Sequence, residues 1–154
     1  MSPVSEQNRE LIRELYAALD AHDGDRMAAC YAPNARFRDP AFGQLDGEEV
    51  AGMWRMLCSR TDDLAVELPA HHADESTGSA HWIARYTFST RRPVVNDIRA
   101  RFRFEDGKIA HHVDEFDFSA WAAQALGLAG KLPGVRSMVR WKARRDLASF
   151  LKGD

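Results

Sequence analysis

One ten-residue stretch constrains this chain more than any other. In Asn96–Glu105 the even positions Ile98, Ala100, Phe102 and Phe104 are apolar, while the odd positions Arg99, Arg101 and Arg103 are all basic. Side chains alternate across a β-sheet, so strict alternation predicts a strand with one face in a core and the other in water or against a partner. The next residues are Asp106-Gly107, followed by a second extended run, Lys108–Phe118. Asp-Gly between two such runs predicts a tight hairpin, because Gly tolerates positive φ.

Two further runs, Leu64–Asp74 and Ser79–Thr90, read as strands, joined near Ser76-Thr77-Gly78 and Arg91-Arg92-Pro93. Ahead of them the period changes. Ser5 reads as the cap of a helix from Glu6 to His22, with Leu11, Leu15, Ala18 and Leu19 on one stripe. Asp25 reads as the cap of a short helix through Tyr31, and Pro33-Asn34 as a turn. Ala35–Asp39 reads as a short strand closed by Pro40, because a residue before proline is pushed into extended backbone. Phe42–Leu45 reads as a loop. Asp46 reads as the cap of a helix from Gly47 to Arg60, with Val50, Met53, Trp54 and Leu57 on one face. From Ser119 to Lys152 the chain is helical again, broken at Gly127, Gly130 and Pro133-Gly134. Helices followed by consecutive strands predict an α+β fold with a largely antiparallel sheet.

The 154 residues fit one domain, with a core near 6–118 and a helical extension near 119–152. The net charge of −2 argues against a nucleic-acid surface over the whole chain. No apolar run approaches a membrane span, and the first ten residues do not resemble a signal peptide. Cys30 and Cys58 form no CxxC pair, Cys30 reads as a small buried hydrophobe, and a reducing cytoplasm is expected.

The chemistry-bearing candidates follow from the faces. Trp82, Ala84, Tyr86 and Phe88 share one face of their strand, and His112, Asp114 and Phe116 share one face of theirs. If Trp54, Trp82, Phe102 and Phe116 point to one interior, His112 and Asp114 join them, unless a bulge inverts the phase. A carboxylate there is costly unless it is paired or functional. Asp39 reads either as the side chain of an Asp-Pro turn or as a strand-end carboxylate at a pocket. His71-His72 and His111-His112 cannot chelate as adjacent pairs, since neighbours on a strand face opposite ways, so no metal is expected. The arginine row, with Arg85, reads either as a surface for anions or nucleic acid or, as expected here, as partners of Glu67, Glu115 and Asp117 on neighbouring strands or across a dimer. In the tail, Val139, Ala143, Leu147 and Phe150 are expected to dock inward, leaving Arg136, Arg140, Lys142, Arg144 and Arg145 as a solvated face.

Three segments resemble the SnoaL-like and ketosteroid-isomerase-like branch of the nuclear transport factor 2-like superfamily. They are Leu15–Asp23, Asn34–Gly43 with Asp46-Gly47, and Phe104–Ile109 leading to His112–Phe116. The resemblance implies a cone-shaped cup, with a strongly curved, mostly antiparallel sheet wrapped around the N-terminal helices. It also implies a homodimer through the outer sheet face. Asp39-Pro40-Ala41-Phe42-Gly43 resembles the segment whose Asp shuttles a proton in ketosteroid isomerases. Those enzymes' oxyanion positions fall on Leu15, one step from Tyr16, and on Ala100, which counts against steroid isomerisation. Asp114 beside His112 looks similar to the acid–base carboxylate of SnoaL-like cyclases. No Arg-x-Asp partner matches the limonene-epoxide hydrolases.

Together these readings predict a deep, mostly apolar pocket. Asp39, Asp114 and His112 are the catalytic candidates. Tyr16, Phe42, Trp54, Trp82, Tyr86, Phe102 and Phe116 would line the pocket around a small apolar ligand. The expected function is a cofactor-independent isomerase, cyclase or lyase moving a proton on a carbonyl compound. The alternative is a non-catalytic ligand-binding or dimerisation module of the same fold.

Overall fold

In a computed structural model, which describes residues 2–153, the chain forms one six-stranded sheet with helices on its inner side. The first helix, α1, runs Pro3–Asp20. Its cap is Ser2 rather than Ser5: the Ser2 side chain accepts from the Ser5 N–H, and Pro3 fits the first turn, where its missing N–H is not needed. Leu15, Ala18 and Leu19 are buried as the stripe predicts. The short α2 (Gly24–Ala28) is capped by Asp23, not Asp25.

The strand predicted from Ala35 begins earlier. β1 spans Tyr31–Asp39 and carries the Pro33-Asn34 pair inside it. The predicted loop after it is strand β2, Gly43–Asp46, paired back onto β1. Helix α3, Glu48–Arg60, has Gly47 at its cap position with no side-chain cap. Asp46 contributes its backbone N–H instead, donated to Glu49 Oε1 at 3.0 Å. Leu57 is 37% exposed, and Met56 takes the buried place expected for it.

The remaining strands are β3 (Ala65–Ala73), β4 (Thr77–Thr87), β5 (Pro93–Glu105) and β6 (Lys108–Glu115). Their order across the sheet is β2-β1-β6-β5-β4-β3, with only β1 and β6 parallel. Burial alternates along the whole of β5, and Asp106 (φ 49°) with Gly107 (φ 76°) makes the predicted turn. A register shift falls between Arg103 and Phe104, yet Phe102 still faces His112 and Ala100 still faces Asp114. The inner-face assignment therefore holds: His112 is fully buried and Asp114 is 4% exposed.

Downstream lie α4 (Phe118–Leu126), a 3-10 turn (Gly127–Lys131) and α5 (Val135–Leu151). Asp117 caps α4 and so is not an arginine partner. Of the expected pairs, Arg85–Glu67 and Arg101–Glu115 form. Helix α5 packs on α3 through Leu147, with Ala143 and Phe150 at the core margin. Gly52 of α3 permits this approach: a Cβ there would sit 2.5 Å from Leu151 Cδ2. No helix among the described residues is long and apolar enough to cross a membrane.

Candidate functional site

Two carboxylates face the inner side of the sheet, and the structure treats them differently. Asp114 ends a closed polar relay. Trp54 Nε1–H donates to Tyr31 Oη at 2.9 Å, and Tyr31 Oη lies 2.9 Å from His112 Nδ1. His112 Nε2 lies 2.8 Å from Asp114 Oδ1, which also accepts from Trp82 Nε1–H at 3.3 Å. The tautomer follows from this network: Tyr31 oxygen already accepts from Trp54, so its own proton goes to His112 Nδ1. His112 then carries its proton on Nε2 and donates it to Asp114. Every side-chain N–H and O–H of this relay has an acceptor.

Aromatic rings close around the relay. Phe102 and Phe37 lie 4.5 and 5.0 Å from the His112 ring centroid, and Trp54 stacks on it at 6.3 Å. Tyr16 packs on Trp82 at 5.1 Å. Tyr16, Phe42, Trp54, Trp82 and Phe102, expected to line an open pocket, are all core residues, none more than 6% exposed. The deep pocket is thus corrected to a packed interior, because large rings from α1, α3, β4 and β5 meet across it. Two surface depressions, of about 460 and 480 Å³, lie elsewhere. One is between α3 and α5, the other between α2 and α3; neither is lined by Asp39, His112 or Asp114. Three buried side-chain polar atoms among the described residues have no partner, Tyr16 Oη, His71 Nε2 and Arg140 Nε, and of these the Tyr16 hydroxyl lies among the rings of the interior. Burial, then the Asp114 and Tyr31 groups nearby, hold its pKa well above the usual value.

Asp39 sits at the rim. Its Oδ1 accepts from the N–H groups of Ala41 (2.9 Å) and Phe42 (2.6 Å), the turn that an Asp-Pro pair favours. No protein donor meets Oδ2 among the described residues. Desolvation pushes the carboxyl from 3.8 up to about 7, with Asp114 adding to the rise; the two N–H donors and Arg140 oppose it. Asp39 is partly accessible, so this desolvation comes from protein packed around the carboxyl rather than from full enclosure.

The tail roofs this rim. Tyr86 and Phe116 bridge the main core and a small second cluster built on Val94, Phe118, Trp121, Ala122 and Ala125. Trp121 Nε1–H donates to Tyr86 Oη at 2.8 Å. Arg140 donates to Pro40 O at 3.4 Å, and Arg144 Nη1 donates to Phe42 O and Gln44 O at 3.0 and 2.7 Å. Arg140 and Arg144, expected on a solvated face, instead clamp the turn that holds Asp39. Sequence reasoning also missed Tyr31, which links Trp54 to His112. The buried odd positions Tyr31, Ala35 and Phe37 carry its signal, hidden by reading Pro33-Asn34 as a turn. No group of three His, Cys, Asp or Glu that could hold a metal occurs among the described residues.

The comparisons agree with this architecture. The chain matches the SnoaL-like domain over residues 12–112. A comparison with curated proteins finds no match. Among solved structures, an LEH-like epoxide hydrolase from M. tuberculosis superposes with a TM-score of 0.70 at 19% identity, covering 82% of this chain and 96% of that one. A Catenulispora acidiphila protein with a ketosteroid isomerase-like fold gives 0.70 at 16%, over 80% and 98%. A putative polyketide cyclase from Xanthomonas campestris gives 0.67 at 17%, over 79% and 98%. At these identities the likeness is one of fold, a nuclear transport factor 2-like one, whereas the sequence match runs from α1 into β6 and takes in both Tyr31 and His112; the chain belongs to the SnoaL-like domain family.

Proposed function

We propose that the chain is a cofactor-independent acid–base catalyst on a small apolar carbonyl compound, with Asp39 as the proton-transfer group. The observation that carries this reading is the state of Asp39. One oxygen is pinned by two backbone donors, the other is free, and the pKa stands at about 7. A base poised near the operating pH combines the right protonation state with driving force for transfer. His112 has both ring nitrogens bonded within the relay, and Asp114 is buried with two side-chain donors on Oδ1, so their role is to fix the floor of the site. Tyr16, with its hydroxyl unmatched, is the donor available to a developing oxyanion if the rings part to admit a ligand. Tyr86 and Phe116 line the approach.

The packed interior favours a second reading, a non-catalytic module of the same fold, because rings already occupy the volume a ligand would take. Solvent-deuterium exchange at the α-carbon of a panel of cyclic ketones, followed by NMR, separates the two. Catalysis predicts exchange above the buffer rate that Asp39→Asn abolishes. Exchange at the buffer rate for every ketone, or unchanged in the variant, establishes the non-catalytic module.

The resemblance also implies a homodimer through the outer sheet face. Its supporting patch is the end where Ile83 and 44%-exposed Val95 lie beside the Glu67–Arg85 and His81–Asp97 pairs. A Val95→Glu variant should run as a monomer in sedimentation if that reading is correct. A cytoplasmic location belongs to the same proposal and accords with Cys30 and Cys58 being free and buried.

A further inference from the structure

The other end of the outer face is unlike the rest of the molecule. Register places Arg36 and Arg103 on either side of His111, and Arg38 and Arg101 on either side of Val113. Residues directly opposite one another share a face, so the Cα atoms of four arginines stand at the corners of a rectangle. It measures about 10 Å across three strands and about 7 Å along them. Arg99 extends it by one more step along β5. All five arginines are exposed.

The counter-charges are few. Arg101 meets Glu115 at 2.6 Å, and Arg36 only reaches Asp46 at 4.0 Å. Arg38, Arg99 and Arg103 have no acidic partner within bridging distance among the described residues. Like charges clustered on neighbouring strands oppose folding. The fold nevertheless holds them together, and half-buried His111 at their centre adds no negative charge.

We propose that this rectangle is a binding site for a small soluble anion carrying two or more phosphate groups. Guanidiniums recognise phosphate through paired, charge-assisted N–H bonds, and corners 7–10 Å apart suit neighbouring phosphates rather than one. The size of the ligand follows from the rest of the surface. Without these five arginines, the chain's 21 lysines and arginines fall to 16 against 23 acidic residues. A long polyanion leaving the patch would run onto net negative surface, whereas a short one ends within it. The patch also has no outward aromatic ring among Arg36, Arg38, His111, Val113, Arg99, Arg101 and Arg103 on which nucleic-acid bases could stack. The site is independent of the proposed chemistry at Asp39, which lies on the opposite side of the sheet.

Calorimetric titration with sodium tripolyphosphate at low ionic strength tests it. The wild-type chain should bind, and an Arg38→Ser/Arg103→Ser double variant should bind about tenfold or more weakly, since each lost fork removes charge-assisted bonds. Arg38→Lys/Arg103→Lys, which keeps the charge but loses the forks, should fall between the two. Arg85→Ser removes an arginine already paired with Glu67 on the same face and should leave binding unchanged. Circular dichroism of every variant establishes that it is folded. Three results overturn the proposal: no heat with tripolyphosphate, equal weakening by Arg85→Ser, or much tighter binding of a single-stranded DNA oligonucleotide than of tripolyphosphate.

Discussion

Asp114 and Asp39 are both acidic side chains turned toward one interior, yet they teach opposite lessons. Asp114 is enclosed, and two side-chain N–H groups, one imidazole and one indole, converge on its Oδ1, with no protein donor at Oδ2 among the described residues. Asp39 is partly open, half-satisfied, and held by backbone donors supplied by its own turn. A carboxylate enclosed in a network of side-chain donors stiffens a core. A carboxyl desolvated at a rim, with one oxygen free, is available for chemistry. Each carboxylate has one oxygen held by two donors, so the number of bonds does not separate them; access to the carboxyl at the rim does.

The largest expected effect tests the enclosed half. Asp114→Ala leaves the His112 and Trp82 N–H donors buried without acceptors. Orphaned buried donors cost roughly 1–3 kcal/mol each, so the variant should lose about 3 kcal/mol of unfolding free energy in urea titration. A loss below about 1 kcal/mol would mean the relay is not structural, and the contrast with Asp39 would collapse.

Next in size is the anchor of the roof. Leu147 is 2% exposed and lies against Gly52, so Leu147→Ala should cost about 2–3 kcal/mol through the cavity it leaves. If α5 instead frays independently of the core, the global unfolding midpoint will stay put while helical signal is lost at lower denaturant.

How much of this could be read beforehand differs between the two carboxylates for a physical reason. The alternation in β5 and the phase of His112 and Asp114 are local properties of a strand, and a strand's faces can be counted off the chain. They placed Asp114 inside correctly, even past the register shift at Arg103. What alternation does not carry is how full the interior is. That depends on Tyr16, Trp54, Trp82 and Phe102 arriving from four separate elements, and it turned an expected pocket into a packed core. The same holds at the rim. Arg140 and Arg144 look like solvent-facing charges along α5, and only the tertiary path of the tail brings their forks onto the carbonyls of Pro40, Phe42 and Gln44.

A smaller effect, with a pH signature, tests the open half. Asp39 binds its proton more tightly in the folded chain than at the ordinary value of 3.8. Its burial therefore costs nothing below about pH 4, and destabilises the fold progressively as pH rises toward about 7. Asp39→Asn keeps an acceptor for the Ala41 and Phe42 N–H groups but has no such titration. The variant should gain on wild type by about 1–2 kcal/mol between about pH 4 and pH 8, after discounting for screening at a partly exposed site. Parallel stability profiles for the two proteins would mean that Asp39 is solvated like any surface carboxylate, and its suitability as a base would go with it.

The smallest effect separates rim from interior most directly. Arg144 is exposed, so removing it should lower global stability by less than about 1 kcal/mol. Its two bonds, however, end on Phe42, in the turn that grips Asp39, and on Gln44 of the adjoining β2. Losing them should let that turn open locally, at a free energy well below global unfolding. Backbone hydrogen exchange reads this residue by residue: in Arg144→Ala the Ala41 and Phe42 amides, which donate to Asp39, should exchange faster, while Val113 and Asp114 on β6 stay protected. Equal acceleration at both places would show that rim and interior open as one unit. The tail would then stabilise the whole cup instead of governing access to Asp39.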